Sequence, residues 1–387
     1  MSATVGGGLG VDEVYSITIA INGAVPDPNR FAFGYLRILE SVVYPLPVGT
    51  ILFSTDTQYW TDNPVFENDQ VHITFTPLKS VQQETEVYDF RVYSVNQTYM
   101  APYRNIKIVL ITDSPTMFYA HPRTIEGTSR DVFQQLADEN VLYTDFDDSN
   151  DRQLWPQANR RNVLWAKFVC DHAYLNETSH YAWCNTRDNY LKFVNLDIRK
   201  KLASKWVFRP EFVGGGGNVM YYSQIITNIN SGLMNRSIAY GTSNNTVDFD
   251  TGTFRQFNPD DFSKLSVNPQ YDSSQDSFNR VFTLAPNIGN DHTYYNDAHV
   301  QNPRLRAMYS TRVRLGTQFP LNAAIFDMCD FEYYDVFTHT TDEVFTGRYL
   351  ISQIDTRIGG AYIYRFFELI SDGTGTSADE GLTGGTL

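Results

Sequence analysis

Residues 13 to 115 are a succession of short runs dense in β-branched and aromatic side chains: "VYSITIAI", "FAFGYLRIL", "VHITFTPL", "VYDFRVYSV" and "IKIVLITD". Pro, Asn, Asp or Gly bounds each run, supplying turn geometry where a helix would have to continue. Such side chains fit a pleated, half-buried surface better than a helical one. The pattern predicts a small antiparallel barrel or sandwich. A second block of the same kind, "MYSTRVRLG", "AAIFDMCDFEYY", "TGRYLISQIDTRI" and "AYIYRFFELISD", closes the chain. Each block ends on Leu-Ile-(Thr or Ser)-Asp, at residues 110–113 and 369–372, after an aromatic and aliphatic strand, 87–95 and 348–354. The shared order of strands points to a duplicated β module.

Between the blocks the period changes. "GTSRDVFQQLADEN" offers Thr128 or Ser129 as a helix cap and sets Val132, Phe133 and Leu136 on one face. In "NVLWAKFVCDHAYL", Trp165, Phe168, Val169, His172 and Ala173 form an apolar helical stripe. "HYAWCNTRDNYLKFVNLDI" reads as two alternating strands around a polar turn at 185–189. From about 205 to 300, strand-like "VMYYSQIITNI" and "RSIAYGT" alternate with long polar stretches. The expected class is mostly β with an α+β insertion: two small antiparallel β-barrels of similar topology plus a helix-hairpin domain.

A formal net charge of -14 argues against duplex binding, which draws its affinity from Lys and Arg on phosphates. Three cysteines imply no disulfide framework and suit a reducing compartment. No run approaches the length of an apolar membrane span, and the start has no leader pattern, so no membrane anchoring is expected.

"CDHAYLNETSHYAWC", with Cys170, His172, His180 and Cys184, raises the question of a metal site. Two residues apart on a helix, Cys170 and His172 are about 200° apart around the axis. On a strand, His180 and Cys184 would lie about 13 Å apart, whereas zinc ligands sit roughly 3–4 Å from one another. His172 is therefore expected in the core and the cysteines as small packing residues. In "DFDDSNDRQLWP", Asp145, Asp147, Ser149 and Asp151 follow calcium-loop spacing, but Asn150 replaces the turn glycine and Pro156 the bidentate glutamate. A solvated acidic loop is expected. "GGGG" at 214–217 lacks phosphate-loop and dinucleotide spacing and reads as a joint. No nucleophile elbow or His-Glu-x-x-His motif occurs, nothing singles out a carboxylate pair, and His72, His121, His292, His299 and His339 are scattered without evident partners. No catalytic, cofactor or metal residue is assigned.

The order of elements, from "IKIVLITDSPTMFY" through "GTSRDVFQQLA", "DDSNDRQLWPQANRRN", "LWAKFVCDHA" and "YAWCNTRDNYLKFVNL" to "FTGRYLISQIDTRIGGAYIYRFFELISDG", resembles the baseplate hub proteins of contractile-tail bacteriophages. That group includes late control protein D and the first part of the VgrG spike protein. The likeness covers about residues 12–210 and 301–375, and "FPLNAAIFDMCDF" lacks the Gly-Asp turn that relatives carry before the corresponding strand. The resemblance implies a first tube-like barrel at 1–118, a helix-hairpin domain at 119–208, strands with long loops as a connecting region at 209–300, a second tube-like barrel at 301–376 and a flexible tail at 377–387. It implies a non-enzymatic virion protein, made in the host cytoplasm. As a homotrimer it would form a pseudo-hexameric ring joining tail tube protein to central spike protein among other baseplate proteins. DNA would pass its channel without specific binding. A receptor-binding tail protein and a cell-wall glycosidase are the alternatives.

Overall fold

The computed structural model describes residues 15–27, 29–77, 85–137, 141–176, 179–187, 190–210, 219–222, 224–229, 244–247, 254–257, 311–317, 323–335, 340–342, 345–359 and 362–371. The first block folds into β1 (Tyr15–Ile21), β2 (Phe31–Ser41), β3 (Val48–Asp56), β4 (Gln70–Pro77), β5 (Glu86–Met100) and β6 (Tyr103–Thr112), with the short helix α1 (Thr57–Asp62) after β3. Their alternation puts Leu36, Ile38, Ile51, Phe53, Val71 and Ile73 in one apolar core and the intervening residues at the surface.

The middle part comprises β7 (Thr124–Gly127), α2 (Ser129–Ala137), β8 (Val141–Thr144), β9 (Gln153–Pro156), α3 (Asn162–His172), β10 (Tyr181–Thr186), β11 (Tyr190–Asn195) and α4 (Leu196–Lys201). Thr128 caps α2: Asp131 N–H donates to Thr128 Oγ1 at 3.3 Å, and Asp131 Oδ2 accepts from Thr128 N–H at 2.8 Å. Gly127 leaves the space this needs, since a Cβ there would stand 2.6 Å from that carboxylate. Trp155, Trp165, Phe133 and Phe193 build the core of this part, with Phe133 and Phe193 stacked at 3.9 Å. The hairpin β10–β11 forms as expected, but β10 does not alternate. All six of its residues are buried, because α3 covers one face and the second β block the other.

The remaining strands are β12 (Trp206–Pro210), β13 (Val219–Tyr222), β14 (Gln224–Ile229), β15 (Asn244–Val247), β16 (Phe254–Phe257), β17 (Thr311–Thr317), β18 (Met328–Phe331), β19 (Tyr334–Asp335), β20 (Thr340–Thr341), β21 (Gly347–Gly359) and β22 (Tyr362–Ser371). "RSIAYGT", "GGGG", both chain ends and His292, His299 and His339 lie outside the described residues.

The expectation of closed barrels needs correction. Among the described residues no sheet closes on itself. Instead, a 13-stranded sheet runs β1-β4-β5-β6-β3-β2-β21-β18-β12-β13, with β22, β17 and β14 branching from β21. The two blocks fuse because β2 pairs antiparallel with β21 over Tyr35–Ser41, so the edge that closure would need is already occupied.

Candidate functional site

β5 with β6 and β21 with β22 are the same hairpin built twice. Val92 lies opposite Leu110 and Ser94 opposite Val109, leaving Tyr93 as a bulge. Ile351 lies opposite Leu369 and Gln353 opposite Glu368, leaving Ser352 as a bulge at the equivalent place. The return strands open on Tyr103 and Tyr362, each separated from the outgoing strand by two residues.

The approach to each hairpin repeats as well. Asn68 N–H donates to Val92 O at 2.8 Å and Val92 N–H to Asp69 O at 2.9 Å; Phe326 and Asp327 do the same to Ile351 at 3.0 Å each. Asn68 and Phe326 share a φ of 73°. Asn adopts this region readily, whereas a phenylalanine there is strained and is held by complete burial of its ring. Asp69 accepts from Phe66 N–H and Asp327 from Ala324 N–H, so the Gly-Asp turn missing from the sequence is replaced by a side-chain-capped one.

Beyond the hairpins the order continues in step. β6 pairs β3 and β3 pairs β2, while β22 pairs β17 and β17 pairs β14. Val48 stands opposite Ile111 and Leu39; Arg312 stands opposite Ile370 and Asn228. At the border beyond β4 and β18 the units differ: β4 has β1 antiparallel beside it, and β18 has β12 parallel.

Where the units meet, charged groups are buried. Glu86 at the start of β5 takes both terminal nitrogens of Arg365 on β22, with Nη1 at 2.9 Å from Oε1, and also lies 2.9 Å from Arg187 at the end of β10. Arg187 Nη2 donates to Ala323 O at 2.8 Å, and its backbone N–H to Glu40 at 3.3 Å. Tyr88 donates to the other Glu40 oxygen at 3.0 Å. Burial pushes the Glu86 carboxyl up, but Arg365 and Arg187 outweigh it and hold the group below the ordinary carboxylate value. Nearer the surface, Arg37 on β2 grips Asp355 on β21 in a bidentate pair at 2.8 and 3.0 Å. These contacts tie both strand blocks and the middle part into one joint.

The sequence candidates fall elsewhere. Cys170 packs with the middle core and Cys184 with the second-block core, so the structure separates them. Cys170 is buried although it stands off the apolar stripe of α3, because that helix is enclosed on more than one side. His172 is buried, with Nδ1 2.7 Å from Phe168 O. His180 is buried at the foot of β10. Burial pushes all three thiols up, Cys184 to about 12. A native sample should therefore take up almost no maleimide at pH 7, and three equivalents per chain once denatured.

The acidic loop is solvated only in part: Asp147, Asp148 and Asn150 are exposed, but the carboxylates of Asp145 and Asp151 are enclosed. Asp151 is fully buried, accepting from Ser129 N–H at 3.0 Å, Ser149 Oγ at 2.6 Å and Tyr174 N–H at 2.9 Å. Asp145 accepts from Asn195 N–H and pairs with Arg199, both at 2.8 Å. The calcium-like spacing thus serves to cap backbone groups of three neighbouring segments. His72 does have a partner, Asp89, 2.5 Å away across β4–β5. A cavity of about 270 Å³ beside α1 is lined by Phe31, Phe53, Tyr59, Trp60 and apolar or amide neighbours, with the Tyr59 phenol its one titratable group, so it offers no acid-base pair. Among the described residues no helix is long and apolar enough to cross a membrane.

No protein-family model matches the chain, and no curated protein does. Solved structures do. The 43 kDa tail protein of prophage MuSo2 from Shewanella oneidensis superposes with a TM-score of 0.60 at 9% identity, over 93% of this chain and 99% of that one. A tail protein from Neisseria meningitidis MC58 gives 0.58 at 6% identity, over 93% and 97%. The chain has the fold of these tail proteins along nearly its whole length.

Proposed function

We propose that the chain is a structural, non-catalytic component of a phage-type tail: a baseplate hub whose three copies form a ring with six similar strand units. The observation that carries this reading is the doubled hairpin, with its bulge, approach turn and strand order repeated in register. Three copies of a chain with two equivalent units present six near-equivalent positions under a three-fold operator. Such a ring matches a six-fold tube on one side and a three-fold spike on the other. Likeness in fold to two tail proteins over nearly their full length supports the same reading.

The role is mechanical. The buried joint of Glu86, Arg187 and Arg365 holds two units and the middle part as one piece, as transmission of force along a tail requires. The net charge of -14 disfavours adhesion of DNA passing through the ring.

Native mass spectrometry and electron microscopy of the purified chain test the reading. Three copies in a six-lobed ring are the expected result. A single copy at every concentration, with or without tail tube protein, would overturn it.

A further inference from the structure

The two units are equivalent, but one strand position is filled in only one of them. β21 is covered along its outer edge by β18 over Gly347–Leu350 and by β2 over Gln353–Gly359. The equivalent β5 is 15 residues long, yet β4 covers only Glu86–Arg91. Asn68 and Asp69 bond to Val92, and among the described residues no backbone group pairs with the outer edge from Ser94 to Met100. The strand that fills this place on β21 is β2, whose counterpart in the second unit is β14. Among the described residues β14 ends its branch of the sheet, bonded to β17 alone.

We propose that β14 of one copy lies antiparallel along β5 of the next, as β2 lies along β21 within the chain. The register follows from the internal pair. Tyr35 opposite Gly359 becomes Gln224 opposite Met100, and Arg37 opposite Arg357 becomes Ile226 opposite Thr98. The proposal rests on the ring reading and names its joint.

Side-chain chemistry agrees. Lone edges are commonly guarded by charge, proline or short length. Residues 92–103 and β14 carry no charged residue, in a chain with 74 Asp, Glu, Lys and Arg, and the one proline, Pro102, lies in the turn beyond β5. Tyr99 and Ile226, 63% and 67% exposed in the single chain, would each be covered. The contact joins two different edges of one sheet, the outer half of β5 and β14, so it is heterologous and repeats head to tail until a ring closes.

The test mixes two full-length variants, Thr98→Cys and Ile226→Cys, and adds a short bismaleimide, which the three buried native thiols resist. A crosslink between copies is expected in the mixture and in neither variant alone. Hydrogen exchange at 94–100 and 224–229 should slow at least tenfold on assembly. A three-copy species without the crosslink or the slowing overturns the joint and leaves the ring reading standing. Crosslinking of Thr98→Cys to itself would mean two-fold β5–β5 pairing and also overturn the joint. A single copy at all concentrations overturns both.

Discussion

Replacing Glu86 with glutamine will cost the folded chain about 3–5 kcal/mol, the usual penalty for stripping a buried ion pair of one partner. The change is nearly isosteric, so packing survives. What is lost is the charge that compensates Arg365 and Arg187, which remain enclosed, 1% and 9% exposed, with Glu40 as a second carboxylate acting on Arg187. Chemical denaturation at pH 7 measures the loss. The pH dependence gives a second reading with a definite sign. Arg365 and Arg187 hold the Glu86 carboxyl below its unfolded value. Its contribution is therefore complete above the ordinary carboxylate range and disappears as pH falls through the depressed folded value. The gap between wild type and Glu86→Gln should be flat near neutrality and shrink on the acid side. A gap that widens on acidification would contradict the assigned ion cluster. Because the joint ties three parts, the variant should also loosen β22 and the end of β10 together, visible as faster hydrogen exchange in both.

Asp151→Ala should be nearly as damaging. The carboxylate receives two backbone N–H groups and one hydroxyl at a site closed to water. Each backbone N–H left without an acceptor costs about 1–3 kcal/mol, so the two together cost about 2–6 kcal/mol, the hydroxyl being free to turn. Asp151→Asn will not rescue it fully, since an amide must turn an N–H toward a group that is itself a donor. Exchange rates at Ser129 and Tyr174 locate the damage in the middle part. Full stability of the alanine variant would return this segment to the solvated loop that its composition suggests.

Strand and helix positions were legible in the sequence because their signals are local. Period-two runs bounded by turn residues marked β1, β2, β4, β5 and β6 but not β3 (Val48–Asp56), and the spacing of Val132, Phe133 and Leu136 marked α2. Even the duplicated tetrads at 110–113 and 369–372 pointed to the right pair of hairpins. The acidic segment misled for the opposite reason. Charge and spacing were local, but the donors that enclose Asp145 and Asp151, at Ser129, Tyr174, Asn195 and Arg199, come from elements up to about fifty residues away in sequence. His72 and Asp89 met the same way, on neighbouring strands.

By itself, then, the sequence determined most of the longer strands, the helices α2 and α3 and that a β module occurs twice, since these follow from side-chain shape and period along one segment, while short elements such as α1, α4 and β7 to β9 carry too few periods to show. Only the tertiary structure decided that the modules fuse through β2 and β21 rather than close separately, that Glu86 meets two arginines, and that the outer half of β5 is left uncovered. Pairing of strand edges depends on backbone groups that every residue carries alike, so nothing in the side-chain pattern of β2 distinguishes β21 from another partner until the chain has folded.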